Sequence, residues 1–323
     1  MSNSDKTVIP RISVLSGGVG AEREVSLQSG QSLADALEEL GPVDLIDLVD
    51  TKLPDELNPR STIVFPIIHG TFGEDGTLQA LLEDAGFAFA GCDAASSRLC
   101  MHKGNSKDRV SEAGVRVVRD IRFREPREVS AAEVIEELGE DLVVKPADQG
   151  SSVALHICHG EEELGGILSD LSHGEWMIEQ RVIGREVTIG MLAGSPLGIV
   201  EVIPDGGVYD YKRKYSPGST EYRFPAVIDL EVEQEIREFA RLSFSACGCR
   251  DFARVDFMIS EDGHPFFLEI NTLPGLTTTS LLPKSASCSG YDFSMLAEKL
   301  LSGAKTRFME MHHLVEPSNQ ATA

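Results

Sequence analysis

Two carboxylates near the C-terminal end of the chain have a spacing that could bind a divalent cation. Residues 254–271 form two strand-like runs around an Asp-Gly pair, which favours a two-residue type I′ hairpin turn. Such a turn places Glu261 opposite His264 and Asp256 opposite Glu269. The chemistry of the hairpin therefore depends on which side chains share a face.

One face of this predicted hairpin is polar and the other is apolar. Side chains alternate along a strand, so four polar groups are expected together: Arg254, Asp256, Glu269 and Asn271. The opposite face is expected to pack on a core through Val255, Phe257, Leu268 and Ile270.

The polar face is a candidate magnesium site. Two opposed carboxylates resist joint ionisation, and a divalent cation removes that penalty. Mg²⁺ prefers hard oxygen ligands, usually one or two carboxylates together with substrate phosphates. The alternative is a solvated sheet edge whose acids are balanced by Arg254.

A loop of small residues could bind phosphate. Residues 148–153 contain Gly150 and two serines, and such a turn can present several backbone N–H groups to an anion. Taken alone, a loop of this composition is more often only a connection. Lys145 lies just before it, whereas Lys103 and Lys214 become relevant only if the fold brings them to the same phosphates.

The hydrophobic pattern predicts the elements that position these groups. Short β-branched runs alternate with amphipathic segments early in the chain, which indicates a parallel sheet covered by helices. In this early part, strands are predicted at 12–15, 43–49 and 63–68, and helices are predicted at 24–40 and 77–85. Later strands at 142–145, 153–157, 176–180, 187–192 and 198–203 and helices at 101–113, 161–171 and 232–248 indicate a mixed, largely antiparallel arrangement.

These elements predict three domains, α/β followed by α+β. We expect an N-terminal α/β domain over 1–99, a small middle domain over 100–184 and a C-terminal domain over 185–309, followed by a disordered tail over 310–323. The segment 209–223 is polar and too long for a tight connection, so we expect a lid there.

Composition excludes several classes of protein. With 41% hydrophobic residues and a net charge of −23, the 323-residue chain is typical of a globular protein without a nucleic-acid or anionic-membrane surface. No apolar run is long enough for a membrane span, so neither signal peptide nor anchor is expected. Six cysteines are too few for a disulfide framework in a chain of this length, which favours the cytoplasm.

Taken together, these motifs resemble the ATP-grasp fold, and within it the D-alanine–D-alanine ligases. The resemblance spans about 11–303, and the motifs occur in the family's order. They are Gly17-Gly18, 21–26, His69-Gly70, 73–77, Lys103, Lys145-Pro146, 150–153, Lys214-Tyr215, 254–256, 269–275 and Ser280-Leu281. The resemblance implies a three-domain ligase with an N-terminal parallel sheet, a small middle domain and a mixed-sheet C-terminal domain.

The resemblance also implies an activity. In such ligases ATP phosphorylates a first D-alanine, and the amine of a second attacks the acyl phosphate to give D-alanyl-D-alanine, ADP and phosphate for peptidoglycan synthesis, and so for the cell wall and cell shape. The Lys214-Tyr215 pair resembles the dipeptide-forming branch. The alternatives are a ligase that uses D-lactate or D-serine as second substrate, and a catalytically silent nucleotide-binding protein. A homodimer is implied as well.

Site roles follow from the resemblance, residue by residue. Two Mg²⁺ or Mn²⁺ ions are assigned to Asp256, Glu269 and Asn271. ATP is assigned to Lys103, Lys145, Gly150, Ser152, Glu179, Gln180, Val182 and Glu186. The first D-alanine is assigned to Glu22 and His69, the oxyanion to Arg254 and the N–H group of Gly275, and the second D-alanine to Lys214, Ser280 and Leu281. Lid closure is assigned to Tyr215, Ser151 and Glu22, and it keeps water from the acyl phosphate.

Overall fold

The first of three sheets is built near the N-terminus. The computed structural model describes residues 10–150, 154–204, 220–277 and 279–313. Four parallel strands, β1 (Arg11–Gly17), β2 (Val43–Leu48), β3 (Thr62–Pro66) and β4 (Ala88–Phe89), are arranged in the order β2-β1-β3-β4. Helices α1 (Arg23–Leu37) and α2 (Thr77–Asp84) connect them. The predicted parallel sheet is confirmed, and the predicted first helix ends in a 3-10 turn over Glu38–Leu40.

A helix that was not predicted precedes the one predicted at 101–113. The predicted helix corresponds to α4 (Lys103–Glu112), whereas α3 (Ala94–Met101) was not predicted. The break between these two helices is at His102, whose backbone is extended and whose Nδ1 accepts a hydrogen bond from the Asn105 N–H group at 3.2 Å. Lys103 is therefore the first residue of α4, where its N–H group donates to the Ala147 carbonyl at 2.7 Å.

The middle sheet is antiparallel. Its strands β5 (Asp120–Phe123), β6 (Asp141–Pro146), β7 (His156–His159) and β8 (Trp176–Gln180) have the order β5-β8-β6-β7, and α5 (Ala131–Leu138) and α6 (Gly160–Asp170) cover it. The strand predicted at 153–157 begins later, at His156. Ala154 has a φ of 53°, a left-handed conformation that does not fit a strand.

The third sheet carries the hairpin. Strands β9 (Gly184–Leu192), β10 (Ser195–Pro204), β11 (Thr220–Arg223), β12 (Phe252–Ser260) and β13 (Pro265–Asn271) have the order β11-β10-β9-β12-β13, and all four pairings are antiparallel. Helices α7 (Leu230–Ala246), α8 (Leu281–Ser287) and α9 (Phe293–Met311) complete this part. The last four residues of the predicted lid segment form β11, and residues 209–219 lie outside the described ranges.

A shared core joins the first and third sheets. Phe65 of β3 stacks on Phe252 of β12 with ring centroids 5.8 Å apart, and Leu300 of α9 belongs to the same buried cluster. A second cluster lies between α7 and the third sheet, and a third fills the space between the middle sheet and its helices. Among the described residues, no helix has the length and apolar character needed to cross a membrane.

Candidate active site

The β12–β13 hairpin has the predicted pairing at its polar end. Asp256 lies opposite Glu269, and Arg254 lies opposite Asn271. These four side chains are called the hairpin cluster below. The predicted facing of the two carboxylates is confirmed.

The turn of this hairpin differs from the prediction. Ser260, not Glu261, faces His264, with its N–H group donating to the His264 carbonyl at 2.9 Å. Gly263 has a φ of 86° and donates its N–H group to the Ser260 carbonyl at 2.9 Å. The turn therefore has three residues, with glycine at the left-handed position, so the predicted two-residue turn is wrong.

A β-bulge restores the register at the polar end. It lies between Asp256 and Phe257, and beyond it Phe257 pairs with Phe267. Phe267 is fully buried, whereas Leu268 is only half-buried, so the predicted core position of Leu268 is wrong. The extra residue in the bulge and the extra residue in the turn compensate each other, which is why Asp256 still faces Glu269.

Cations hold both carboxylates of the hairpin cluster. Arg254 donates from Nε to Asp256 Oδ1 at 2.9 Å and from Nη2 to Oδ2 at 2.8 Å. Thr188 of β9 donates its hydroxyl to the same Oδ1 at 2.5 Å. Lys103 Nζ lies 3.4 Å from Glu269 Oε2 and donates to the Gln149 carbonyl at 2.5 Å. Sequence reasoning missed Thr188, because its contact depends on which strand lies beside β12.

The donor chemistry of the hairpin cluster fits a hard cation. Its carboxylates share one face, and the Glu269 side chain is 24% exposed. Asn271 Oδ1 accepts the Leu273 N–H group at 2.9 Å and keeps a second lone pair. Across the described ranges no three His, Cys, Asp or Glu side chains form a metal-binding group, so a cation here needs the Asn271 amide and ligands from a substrate.

A buried acid in the middle sheet is enclosed by lysines. Glu179 of β8 contacts Lys145 Nζ through Oε2 at 2.5 Å and Lys107 Nζ through Oε1 at 2.7 Å. Lys107 also lies 2.9 Å from Asp120 Oδ1. We call these four residues the lysine network. Burial opposes ionisation of Glu179, but the charges of Lys145 and Lys107 outweigh it and lower the pKa of this carboxyl to about 2.

Sequence reasoning missed Lys107. It follows Lys103 by four residues, so both lysines lie on one face of α4, and this helical spacing was the available signal. The other predicted nucleotide residues lie where β8 passes into β9. Gln180 is exposed at the end of β8, and Val182 and Glu186 are half-buried.

A cleft of about 460 Å³ lies between residues 20–22 just before α1, residues 70–75, the junction of α3 and α4, and residues 148–150. Its lining includes Glu22, Gly70, Arg98, His102 and Gly150. The Glu22 carboxylate lies against Gly70, where an added Cβ would be 3.1 Å from Oε2. The structure thus brings Glu22 and Gly150 to one cleft, whose lining also contains Arg98, which was not predicted.

His69 lies buried beside this cleft. Its Nδ1 is 3.2 Å from Glu74 Oε1, and its Nε2 is buried without a hydrogen-bond partner in the described structure. A buried polar atom without a partner is costly, so a ligand group that bonds Nε2 would be favoured.

The loop after β13 brings Gly275 to Ser280. An added Cβ at Gly275 would be 2.9 Å from Ser280 Oγ, so the small residue permits this approach. Ser280 Oγ accepts the Thr277 N–H group at 3.1 Å and makes no capping bond to α8, which begins at Leu281. The Leu276 N–H group donates to Ser29 Oγ at 3.3 Å, which connects this loop to helix α1. The remaining predicted site residues lie outside the described ranges: Ser151, Ser152, Lys214 and Tyr215.

Two family models match most of the chain. The model described as D-ala D-ala ligase N-terminus matches residues 43–92, and the model described as D-ala D-ala ligase C-terminus matches residues 110–302. The chain is 39% identical over 302 residues to a D-alanine–D-alanine ligase of Syntrophotalea carbinolica, covering 92% of this chain and 97% of the relative. It is 40% identical over 302 residues to that of Thermotoga petrophila, covering 91% and 97%.

Solved structures are similar along nearly the whole chain. The D-alanine–D-alanine ligase from Bacillus anthracis complexed with ATP has a TM-score of 0.82 at 29% identity, covering 93% of this chain and 99% of that one. The VanG D-Ala:D-Ser ligase from Enterococcus faecalis has a TM-score of 0.78 at 30% identity, covering 91% and 99%.

Proposed function

The chain belongs to the D-alanine–D-alanine ligase family, and we propose that it joins two D-alanine molecules with ATP for peptidoglycan synthesis. It is an enzyme with the ATP-grasp fold of that family. The observation that carries the proposal is the hairpin cluster, in which Asp256 faces Glu269 with Arg254 and Lys103 as their cationic partners.

The chemistry requires activation of a carboxylate. A carboxylate is a poor electrophile because its leaving group would be oxide, so the γ-phosphoryl group of ATP is first transferred to it. The amine of the second D-alanine then attacks the acyl phosphate, and the tetrahedral intermediate expels phosphate. The protein must align both substrates and stabilise the negative charge that develops.

Phosphate binding falls to two lysines and a loop. Lys103 at the start of α4 and Lys145 at the end of β6 neutralise phosphate charge, and backbone N–H groups from Gly150 to Ser152 bind phosphate oxygens. Glu179 acts through Lys145, whose ammonium group it contacts.

Adenine and ribose binding falls to the connection between β8 and β9. Gln180 and Val182 offer backbone groups to adenine, and the Glu186 carboxylate accepts hydrogen bonds from the ribose hydroxyls. The exposure of Gln180 at the end of β8 supports this assignment.

Magnesium or manganese fits the hairpin cluster. Asp256, Glu269 and Asn271 would hold two such ions, which supply positive charge to the phosphates of ATP. Arg254 pairs with Asp256 and Lys103 pairs with Glu269, so these two carboxylates are already arranged to hold positive charge.

The first D-alanine fits the cleft beside α1. The Glu22 carboxylate pairs with its ammonium group, and His69 Nε2, buried without a partner in the described ranges, lies near the same substrate. The volume of about 460 Å³ is ample for an amino acid.

Arg254 and the loop after β13 act on the second half of the reaction. The Arg254 guanidinium and the Gly275 N–H group stabilise the oxyanion of the tetrahedral intermediate. Ser280, next to Gly275, donates its hydroxyl to the carboxylate of the second D-alanine, with Leu281 beside it.

Closure completes the site. Tyr215 bonds to Ser151 and Glu22, and Lys214 binds substrate, so that water is kept from the acyl phosphate.

We further propose that the enzyme is a cytoplasmic homodimer. Light scattering should then give twice the 35.0 kDa chain mass, and a mass of one chain would contradict the dimer.

Phosphate release tests the proposed reaction. The full chain is incubated with ATP and MgCl₂ and with D-alanine, L-alanine, D-alanine plus D-lactate, or D-alanine plus D-serine, and products are identified by mass spectrometry. Phosphate and dipeptide should form with D-alanine and not with L-alanine, and excess EDTA should stop both. Preferred formation of a mixed product identifies a D-lactate or D-serine ligase. ATP binding without turnover of any D-substrate identifies a silent nucleotide-binding protein.

A further inference from the structure

Lys107 is a buried cation to which the proposed reaction assigns no role. It lies on α4 one turn after Lys103, and its side chain is only 1% exposed. Its Nζ contacts Glu179 Oε1 at 2.7 Å and Asp120 Oδ1 at 2.9 Å. A buried ammonium group is strongly destabilising unless such partners neutralise it, so this position is tightly constrained.

Glu179 has one ammonium group on each carboxylate oxygen. Lys145 contacts Oε2 at 2.5 Å, and Lys107 contacts Oε1. If Lys145 were the only cation there, moving its ammonium group to a phosphate would leave a buried carboxylate without compensation. Lys107 removes this penalty, because Glu179 remains paired while Lys145 is shared or released.

Asp120 and its partner Arg122 hold Lys107 in position. Asp120 contacts both Lys107 and Arg122, the latter from Nε at 2.6 Å. Arg122 also forms two hydrogen bonds of 2.7 Å with Asp108 of α4. An added Cβ at Gly104 would be only 2.9 Å from the Arg122 guanidinium, so the arginine is packed against the start of α4. Lys107 is therefore held in place without Lys145.

We propose that Lys107 is a positioning residue for ATP: it neutralises the Glu179 carboxylate at Oε1 and so leaves the Lys145 ammonium group available to the nucleotide phosphates. The inference rests on the proposed role of Lys145 in phosphate binding. In its proposed role, Lys107 touches no phosphate and acts only through the Glu179 carboxylate.

The test is ATP binding and turnover by Lys107→Met, which removes the charge but keeps the length of the side chain. The Kd for ATP, measured by calorimetry without D-alanine, and the KM for ATP should both rise by about tenfold or more. The KM for D-alanine should stay within about twofold. Lys107→Arg should restore most of the ATP affinity, and Arg109→Met, at an exposed position of the same helix, should match the wild type.

A double variant separates positioning from folding. Lys107→Met/Glu179→Gln removes both buried charges, so Lys145 has no carboxylate to leave, and Asp120 keeps Arg122 as its partner. Because ATP is also assigned to Glu179, the reference is Glu179→Gln alone: the double variant should bind ATP within about twofold of that reference. This comparison also decides the question if Lys107→Met alone does not fold by circular dichroism.

Two results overturn the inference. One is a folded Lys107→Met variant with wild-type Kd for ATP, and the other is a double variant whose Kd for ATP exceeds that of Glu179→Gln by about tenfold or more. Because calorimetry needs no turnover, a wild-type protein that binds ATP but forms no dipeptide would contradict the proposed function and still leave this test valid.

Discussion

The hairpin cluster and the lysine network use the same side-chain types in two different ways. Glu179 is enclosed, with a side chain 6% exposed and an ammonium group on each oxygen. Glu269 is open, with a side chain 24% exposed and the nearby Lys103 at 3.4 Å. An enclosed ion pair fixes geometry, because removing one partner leaves an uncompensated charge, whereas an open one can exchange its cation for a ligand. Enclosure therefore separates Glu179 from Glu269, although the two residues carry the same side chain.

The largest expected effect is at the open acid. Glu269→Gln removes the charge that a divalent cation requires, and turnover should fall by on the order of a thousandfold. The melting temperature should stay within a few degrees, since glutamine keeps the size and shape of this partly exposed side chain. Phosphate release and thermal unfolding measure the two quantities, and Glu261→Gln in the turn of the same hairpin is the matched control. Near-normal turnover would contradict the metal role of Glu269.

The enclosed acid should show a large effect on stability. Glu179→Ala leaves Lys107 and Lys145 without their shared partner, and the free energy of unfolding should fall by about 3–5 kcal/mol. Urea unfolding measures this, with Glu162→Ala on the exposed surface of α6 as control. A loss as small as that of the control would mean that Glu179 is not enclosed as described.

Low pH should remove the contribution of Glu179 to the free energy of unfolding. Its pKa falls from 4.5 in the unfolded chain to about 2 in the folded protein, so its stabilisation is present above pH 4.5 and is lost as the pH falls toward 2. The shift corresponds to about 3 kcal/mol. Urea unfolding of the wild type and of Glu179→Gln at several pH values should show their difference shrinking over this range. A difference that stays constant down to pH 3 would exclude the assigned cause.

The smallest expected effect is at the hydroxyl that supports the hairpin cluster. Thr188→Val removes the hydrogen bond to Asp256 Oδ1 and keeps the side-chain shape, so the free energy of unfolding should fall by about 1 kcal/mol. The KM for ATP should rise only a few-fold, because Arg254 still holds Asp256. Thr306→Val on the exposed side of α9 is the control. A loss of turnover as large as that expected for Glu269→Gln would show that Thr188 contributes directly to the site.

Local patterns predicted much of the fold. Strand β8 was predicted at its observed bounds, and the parallel N-terminal sheet follows from alternating strands and helices. Helix α3 was not predicted, although Asp93 is a recognisable N-cap that accepts the Ser96 N–H group at 2.8 Å. Family resemblance assigned site roles that periodicity could not, and several of those residues lie outside the described ranges.

By itself, the sequence determined that β12 pairs with β13, because two strands joined by a short turn pair with each other. It did not determine the register that brings Asp256 opposite Glu269, since the turn and the bulge each add one residue and only the folded sheet shows both. The enclosure of Glu179 was decided by tertiary structure alone. Lys107 is 72 residues away in the chain, and no local periodicity encodes a contact at that separation. The lysine charges then set the chemistry of this acid: burial alone would oppose ionisation of the Glu179 carboxyl, and the two ammonium groups outweigh burial and lower its pKa to about 2.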